Sequence, residues 1–517
     1  MRTIKHLAFL LFAGLIILGS CKKSISPLLE AIPGNAAFVV ALENKKLIDK
    51  GDFKNLKEYK AFQMLYDRVM YDPATHDYID KFLANPGSLG LGIDQSYVFG
   101  VKQDDELYVA FVLEMNNEAT FESALNELFK VIDIRLPQIE DKAGYKIAFA
   151  DDELAFAWNK KLFFMVVGGD CESVDFAELF DMPIEKSILN VSDFAKFQKR
   201  SYDAGFWMSY GVFADMYTDF LGQKLPDFYK EMSDAYIHAY LNFEKGEMKI
   251  TWLMSPESKV DAFMEKYPII KKDFNTALLR DFPDKSYLCF KFSINVLEYF
   301  KLISEMSEQV GMGIGQMMLN DPTLNTVVNA LGGDAIMSIY GFAQGPLPIP
   351  LVGLSFTVKS KDDFDKILAL LPQEMLKQNG DHYVLSTGMA VSIYFAFKDN
   401  RVYITDDADA IASFTGKGFN KSLEKHAMGS VIKNSPSVFY INLDIDSYPE
   451  NIRTLAQNAG GAMAGTFLSN LRPYKDFSIS MVSNYEGVFS LKFKDESQNS
   501  LKQLLKSLDE IASSQIH

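Results

Sequence analysis

Histidine and cysteine are scarce in this chain of 517 residues, which has 6 histidines and 3 cysteines. No H-E-x-x-H or C-x-x-C spacing occurs, so a zinc site would need ligands from distant parts of the chain. The sequence also lacks the G-x-S-x-G elbow of α/β-hydrolases and the G-x-x-x-x-G-K-[ST] loop that holds nucleotide phosphates. We therefore predict no metal site, no cofactor and no catalytic residue, and we favour a protein that is not an enzyme.

Basic residues are the minority among the charged residues. Lys and Arg total 52, Asp and Glu total 68, and the formal net charge is −16. No basic stripe interrupts this balance, so we expect no nucleic-acid partner. Long apolar runs are also absent after residue 18, and no later segment is long and apolar enough to cross a membrane as a helix.

One apolar run is present at the N-terminus. Leu7 to Leu18 follows the basic residues Arg2 and Lys5 and ends in Leu-Gly-Ser-Cys. This layout is typical of a secretory signal, because the run is short for a membrane span and small residues follow it. The last four residues resemble the lipobox of bacterial lipoproteins, which implies that Cys21 is acylated and becomes the first mature residue. A simple signal peptide with an incidental cysteine, or an N-terminal membrane helix, would also fit.

The lipobox resemblance predicts a lipoprotein signal peptide at 1–20 and a lipidated cysteine with a short tether at 21–31. Lys22 stands where an Asp would retain a lipoprotein in the inner membrane, so the resemblance points to the outer membrane. No acidic residues follow the cysteine as in many surface-exported lipoproteins, which favours the periplasmic face and leaves surface exposure open. The first expected partner is therefore the membrane, through palmitate-like acyl chains. The tether keeps the body within roughly 40 Å of the bilayer.

The composition is that of a folded protein. Hydrophobic residues make up 48%, aromatic residues 13% and charged residues 23% of the sequence, which favours a strand-rich structure. The length exceeds one ordinary core, so we expect two or more domains. Besides Cys21, the cysteines are Cys171 and Cys289. They would either pair in an oxidising periplasm or stay buried as free thiols.

Two similar halves are predicted, at 32–281 and 282–517. The turn Ile-Pro-Gly-Asn from Ile32, a β-type run and a helical pattern match the stretch that begins Phe-Pro-Asp-Lys at Phe282. Later blocks repeat the same order of hairpin, amphipathic helix, short strands and a second hairpin–helix unit. The sequence therefore predicts an α+β fold with mostly antiparallel sheets and covering helices, in strand–helix–hairpin–helix units. Such halves commonly leave a groove for a ligand between them.

The start of the first half carries a family resemblance. After the lipobox and the tether, the pattern I-P-x-x-A-x-x-V occurs as Ile32, Pro33, Ala36 and Val39. With the late hairpin–helix units, it resembles an uncharacterised family of Bacteroidetes lipoproteins that is known only as a domain of unknown function. The likeness covers essentially the whole mature chain. It implies no activity and no catalytic residues.

Two segments poor in charge are rich in Gly, Ala and Met: GMGIGQMML at 311–319 and AGGAMAGTFL at 459–468. Small residues four apart, such as Gly311 and Gly315, allow helix backbones to approach closely. Either the segments pack tightly inside the protein, or they form an adaptable apolar surface for lipid or a hydrophobic partner. Gly311 and Gly315 are therefore candidate partner contacts.

The hairpin tip GPLPIPLVG at 345–353 is stiffened by three prolines. A stiff tip either packs on its neighbour as a rigid turn or presents its apolar side chains outward. In the second case Leu347 and Ile349 would contact a partner. We count both as candidate contact residues.

Acidic residues cluster at three predicted turns, 104–106, 151–153 and 406–409. Asp is favoured in turns for its local hydrogen bonds, whereas a pair of carboxylates would also suit calcium binding or glycoside hydrolysis. The expected function is a non-enzymatic envelope component that binds a protein, a glycan or a lipid. The alternative is a periplasmic hydrolase with a carboxylate site between the two halves.

Overall fold

The structure is a computed structural model that describes most residues between Pro27 and Ser514. The residues outside the described set are 1–26, 61, 65–79, 81–85, 104–105, 132–136, 213, 215–232, 234, 256–260, 263–264, 310–319, 344–347, 387–391, 460–467 and 515–517. Cys21, Gly311, Gly315 and Leu347 lie outside the described residues. Within the described residues, no helix is long and apolar enough to span a membrane.

The described residues belong to two compact units. Unit 1 contains those within 1–217, 235–255 and 495–517, and unit 2 contains those within 218–234 and 256–494. Residues 495–517 thus belong to unit 1, whereas the predicted division assigned them to the second half. The reason is apolar packing, because Leu501 shares one buried cluster with Leu47 and Phe243.

Unit 1 contains an antiparallel sheet. Its strands pair in the order β10-β9-β8-β1-β2-β3-β7-β6-β5-β4. In chain order they are β1 (Phe38–Leu42), β2 (Leu91–Gln103), β3 (Glu106–Met115), β4 (Ile139–Lys142), β5 (Tyr145–Asp151), β6 (Leu154–Trp158), β7 (Leu162–Val167), β8 (Ala204–Ser209), β9 (Tyr236–Glu244) and β10 (Glu247–Ser255).

Unit 2 also contains an antiparallel sheet. Its strands pair in the order β20-β19-β18-β11-β12-β13-β17-β16-β15-β14, the same order as in unit 1 when each set is counted from its first strand. They are β11 (Leu288–Ser293), β12 (Leu331–Phe342), β13 (Pro350–Val358), β14 (Leu376–Asn379), β15 (His382–Ser386), β16 (Ser392–Lys398), β17 (Arg401–Thr405), β18 (Ser437–Asn442), β19 (Tyr474–Met481) and β20 (Glu486–Phe493).

Helices accompany both sheets, so the predicted α+β class with antiparallel strands is confirmed. The described α-helices are α1 (Pro27–Glu30), α2 (Asn44–Gly51), α3 (Glu118–Val131), α4 (Phe176–Phe180), α5 (Ser192–Phe197), α6 (Val296–Gln309), α7 (Pro322–Ala330), α8 (Lys361–Leu368), α9 (Ala408–Thr415), α10 (Gly429–Asn434), α11 (Glu450–Ala459) and α12 (Ser500–Ser514). The described 3₁₀-helices are Phe53–Glu58, Pro86–Leu89, Cys171–Ser173, Ile184–Lys186, Ile188–Asn190, Thr276–Asp281, Leu423–Lys425 and Ile445–Ser447.

The core of unit 1 lies on both faces of its sheet. Along β3, Ala110 and Val112 belong to one buried cluster, and Phe111 and Leu113 belong to another. This division follows from the alternation of side chains along a strand. Helix α3 covers the second face, where Leu125 joins the same cluster as Phe111. Burial of each large apolar side chain contributes about 1.5–3 kcal/mol, so both faces stabilise the sheet.

The turn between β9 and β10 requires a glycine. Gly246 has φ +68°, and a Cβ at this position would lie 2.7 Å from the Cα of Glu496. We expect Gly246→Ala to destabilise unit 1 by about 2 kcal/mol, because it combines a left-handed backbone with a close backbone contact. Urea unfolding followed by tryptophan fluorescence measures this, since all three tryptophans (Trp158, Trp207 and Trp252) lie in unit 1.

Gly144→Ala is the matched control for that variant. Gly144 also has a positive φ, +96°, but its Cβ would meet nothing within 4 Å. We expect a loss of about 1 kcal/mol from the backbone alone. Equal losses for the two variants would show that the contact with Glu496 contributes nothing.

The core of unit 2 encloses a buried ion pair. Arg401 donates to Asp281, and the hydroxyl of Ser355 donates to the second carboxylate oxygen of Asp281 at 2.7 Å. Burial raises the pKa of Asp281 to about 6, while Arg401 opposes this shift. Asp281 is therefore ionised at neutral pH, and the pair ties the 3₁₀-helix Thr276–Asp281 to β13 and β17.

Candidate ligand-binding site

The candidate site is built around a buried lysine in β11. Lys291 has 1% of its surface exposed and is the only fully buried lysine among the residues that the structure describes. Because side chains alternate along a strand, it shares a face with Cys289 and Ser293, which are also buried. Its neighbours Phe290 and Phe292 lie on the opposite face, where Phe290 is 39% exposed.

The ammonium group of Lys291 has few partners. Its Nζ donates to the carbonyl oxygen of Ser435, which caps the C-terminus of α10, and lies 4.1 Å from the ring centroid of Phe274. No carboxylate of a described residue lies within 4 Å of it. An ammonium has three donors, and the described residues provide an acceptor for one of them, which leaves two for a further acceptor. Burial lowers the pKa of Lys291 to about 8, although the carboxylate of Asp334 acts in the opposite direction.

Lys291 lines a cavity of about 610 Å³ within unit 2. Three more lysines line the same cavity, Lys271, Lys272 and Lys433, whereas one carboxylate, Asp273, does so. The lining also includes apolar and aromatic side chains, among them Phe274, Pro436, Val482 and Tyr485, together with polar Ser, Thr and Asn residues. The cavity thus combines a cationic lining with an apolar wall, in a chain whose formal net charge is −16.

One of these lysines is neutralised by a buried carboxylate. The Nζ of Lys271 lies 2.6 Å from Asp334 Oδ2, and Asp334 also accepts from the hydroxyl of Ser293. Asp334 is 1% exposed, so this ion pair is part of the cavity's inner structure. Lys272 and Lys433 are exposed. With Lys291 they leave an excess of positive charge that suits an anionic ligand.

Unit 1 contains a buried polar trio, Asp193, His238 and Ser255, that sequence analysis did not predict. The carboxylate of Asp193 accepts from Trp207 Nε1 at 3.1 Å and from the hydroxyl of Ser255. His238 Nε2 lies 2.6 Å from Asp193 Oδ1, and His238 Nδ1 lies 3.1 Å from the hydroxyl of Tyr240. These residues come from α5, β8, β9 and β10, so no local spacing in the sequence signals them.

The trio has the residue types of a catalytic triad but not its arrangement. In a triad the serine hydroxyl bonds to the histidine, which in turn bonds to the carboxylate. Here Ser255 and His238 both bond to Asp193 instead. Asp193 and His238 are no more than 1% exposed, and Ser255 is 6% exposed. The trio therefore acts as a hydrogen-bonded network inside the core.

The predicted acidic turns have structural roles. Asp151 Oδ1 accepts the backbone N–H of Glu153 at 3.0 Å, and Asp407 accepts that of Asp409 at the start of α9. Carboxylates also border an open cavity of about 660 Å³ in unit 1, namely Glu106, Asp152, Glu153, Asp170 and Glu172. Asp104 and Asp105 lie outside the described residues. The part of the chain that the structure describes holds no group of three side chains that would ligate a metal ion.

Of the predicted contact residues, the structure describes Ile349. It precedes β13 and is 44% exposed. A second exposed apolar pair, which sequence analysis missed, lies on the sheet of unit 2: Phe290 and Met337 face each other on β11 and β12 and are 39% and 37% exposed. Leu347, Gly311 and Gly315 lie outside the described residues.

Cys171 and Cys289 are free thiols, and both are completely buried. Each lies in its own apolar cluster, Cys171 in unit 1 and Cys289 in unit 2. Burial raises the pKa of Cys171 to about 11 and that of Cys289 to about 12. Of the two predicted alternatives, the structure shows buried thiols and no disulfide between these residues.

The fold and the cavity define an α+β protein with antiparallel sheets and a lysine-lined pocket. The chain belongs to the family described as a domain of unknown function, DUF4836, whose sequence profile matches residues 29–501. The predicted membership of a family that is known only as a domain of unknown function is confirmed. No curated protein matches the chain at a significant level. The solved structure of crystal form I of TP0453 matches over 49% of this chain and 90% of its own, with 12% sequence identity. The TM-score of this match is 0.25, which is too low to support an inference about this chain.

Proposed function

We propose that this protein is a lipid-anchored component of the cell envelope that works by binding a ligand or partner, without catalysing a reaction on it. The observation that carries the proposal is the cavity of unit 2. It offers converging positive charge and an apolar wall, which are features of recognition. Two of the serine hydroxyls there serve internal bonds, because Ser293 donates to Asp334 and Ser483 accepts two backbone N–H groups.

The anchor in this proposal is Cys21. Support comes from the sequence, in which the basic start, the apolar run and Leu-Gly-Ser-Cys agree with a lipobox. Lys22 and Lys23 would then lie at the level of the lipid headgroups. We propose that the protein lies at the outer membrane, because Lys22 stands where an Asp would signal retention in the inner membrane. We favour the periplasmic face, because no acidic residues follow Cys21 as they do in many surface-exported lipoproteins.

We also propose that the two units arose by duplication of one ancestral unit. The identical strand order of the two sheets supports this, together with the matching turns at Pro33 and Pro283. The fourth residue of the first strand is Ala41 in unit 1 and Lys291 in unit 2. Both are 1% exposed. The buried amine would thus be a later feature of unit 2 that serves its ligand.

Purification of the lipoprotein from its native membrane tests the proposed function. Without covalent crosslinking, we expect an unmodified envelope protein, glycan or lipid to remain associated with it through mild detergent extraction. The ligand should then be released unchanged on incubation with the purified protein. Conversion of the released ligand by the protein would contradict a binding role and favour the hydrolase alternative.

Ile349 offers a more local test of a protein partner. A photo-crosslinking amino acid at Ile349 is expected to capture the same envelope protein in repeated experiments, because an exposed apolar side chain at a stiff tip suits a contact. Leu370 is the matched control, since it belongs to unit 2 and is 42% exposed against 44% for Ile349. An identical set of captured proteins at both positions would show background contact and would exclude the tip as a specific surface.

A further inference from the structure

We propose that the lysine-lined cavity of unit 2 binds the phosphate or carboxylate group of a small anionic ligand, with Lys291 as its buried cation. In this arrangement Lys272 and Lys433 surround the charged group, and Phe274 and Val482 contact the apolar part of the ligand. The inference rests on the proposed binding function and adds the chemical class of the ligand to it.

The first argument is the cost of burying Lys291. An ammonium in the interior without a carboxylate partner is unfavourable, and such groups are retained mainly where they have a function. The fold does not need an amine at this point in the strand. Ala41 occupies the corresponding place in β1 and is equally buried. The lysine is therefore explained better by a ligand than by packing.

The second argument is the number of unused donors. The Nζ of Lys291 gives one hydrogen bond to Ser435, which also lines the cavity. Its remaining two donors match the oxygen atoms of a phosphate or a carboxylate, which are strong acceptors. Phe274, whose ring lies 4.1 Å from the ammonium, fixes the side chain from the other side.

The third argument is the balance of charge around the amine. From its own strand and from β12, the titratable groups that face Lys291 are Cys289 and Asp334, and Lys271 pairs with Asp334 at 2.6 Å. At the outer part of the cavity, Asp273 is the single lining carboxylate against Lys272 and Lys433. The hydroxyl of Tyr485 donates to Asp261 at 2.7 Å, so we do not count it among the donors to the anion. A bound anion would bring this excess of positive charge close to neutrality.

A pH dependence follows from this geometry. The anion binds the ammonium form of Lys291, so binding takes up a proton wherever the free protein has lost it. Since the pKa of Lys291 is about 8, the affinity for an anion that keeps its own charge in this range, such as acetate, should be nearly constant between neutral pH and this value. It should weaken by about tenfold for each pH unit above it.

Calorimetric titration of the purified full-length lipoprotein in detergent tests the proposal. The probes are inorganic phosphate, glycerol phosphate, acetate and vesicles that contain phosphatidylglycerol. We expect saturable binding of at least one probe, weakened about 10- to 100-fold by Lys291→Met. Lys417→Met, a change of an exposed lysine outside the cavity, should leave binding unchanged. Lys433→Gln, at an exposed position, should weaken binding about threefold without affecting the core.

The probes separate the sources of the anion. Binding of vesicles alone would assign the site to a lipid headgroup, and binding of the soluble probes would assign it to a free anion. Either result supports the proposal if Lys291→Met weakens that binding about 10- to 100-fold. No binding of any probe, or equal binding by the Lys291→Met variant, would overturn the anion site and leave a binding role elsewhere on the protein intact. Release of phosphate from glycerol phosphate would instead overturn the non-enzymatic function.

Discussion

Cys21→Ala is expected to leave a full-length precursor that is neither cleaved nor acylated. In bacterial lipoproteins the lipid is attached through the thiol of the lipobox cysteine, and cleavage of the signal follows that attachment, so alanine would remove both steps. Acyl chains are also what holds such a protein stably on the membrane. Mass spectrometry of the N-terminal peptide and fractionation of cells measure the result. We expect essentially complete loss of the mature lipidated form.

Cys171→Ala is the matched control, because it removes a cysteine that is buried and free in unit 1. This variant should be acylated and cleaved normally. A Cys21→Ala protein that matures and stays in the membrane would contradict the anchor. A variant that is cleaved but released from the membrane would instead support an ordinary signal peptide, the first of the alternatives that the sequence leaves open.

The fold was predictable where its determinants are local. The alternation of Ala110 and Val112 with Phe111 places β3 between two apolar clusters, as expected for a sheet with covered faces. The Glu-Lys-Gly turn supplies the positive φ of Gly246. The unit to which α12 belongs was not predictable in the same way. It depends on the contact of Leu501 with Leu47, which are far apart in the chain.

Lys291 shows why the candidate site escaped sequence analysis. In Leu-Cys-Phe-Lys-Phe-Ser, a period of two separates one face with Phe290 and Phe292 from another with Cys289 and Lys291. Hydrophobicity alone favours burial of the phenylalanine face. The structure buries Cys289 and Lys291 and leaves Phe290 39% exposed. Which face is buried depends on the tertiary environment of the sheet, and a single strand does not contain that information.

The network of Asp193 was hidden for a different reason. Asp193 is separated from His238 by 45 positions and from Ser255 by 62. An isolated histidine in a strand gives no sign of its partner, so the sequence does not single out His238. The order of the sheet places α5 beside β9 and β10 and thereby joins these side chains. The network yields the largest stability effect that we expect from a single core substitution in unit 1.

Asp193→Ala is expected to destabilise unit 1 by about 3–5 kcal/mol. The change leaves the donors of Trp207, His238 and Ser255 buried without their acceptor, and each such loss is costly in the core. Urea unfolding followed by tryptophan fluorescence reports on this unit alone, because Trp158, Trp207 and Trp252 all lie in it. Asp181→Ala is the matched control. Asp181 is exposed, so the change should stay within about 0.5 kcal/mol.

The acid dependence of the same variant distinguishes the ionised network from simple packing. Burial opposes ionisation of Asp193, but hydrogen bonds from His238, Ser255 and Trp207 outweigh it and lower the pKa of Asp193 below its usual value. A lowered folded-state pKa contributes stability above the unfolded value, about 3.9, and loses it as the pH falls further. We therefore expect the wild type to lose stability below about pH 4. Asp193→Ala should lose less stability than the wild type over the same pH range, because it has no carboxylate to protonate at this position. A variant as stable as the wild type at neutral pH, with an unchanged acid profile, would show that the network does not hold unit 1 together.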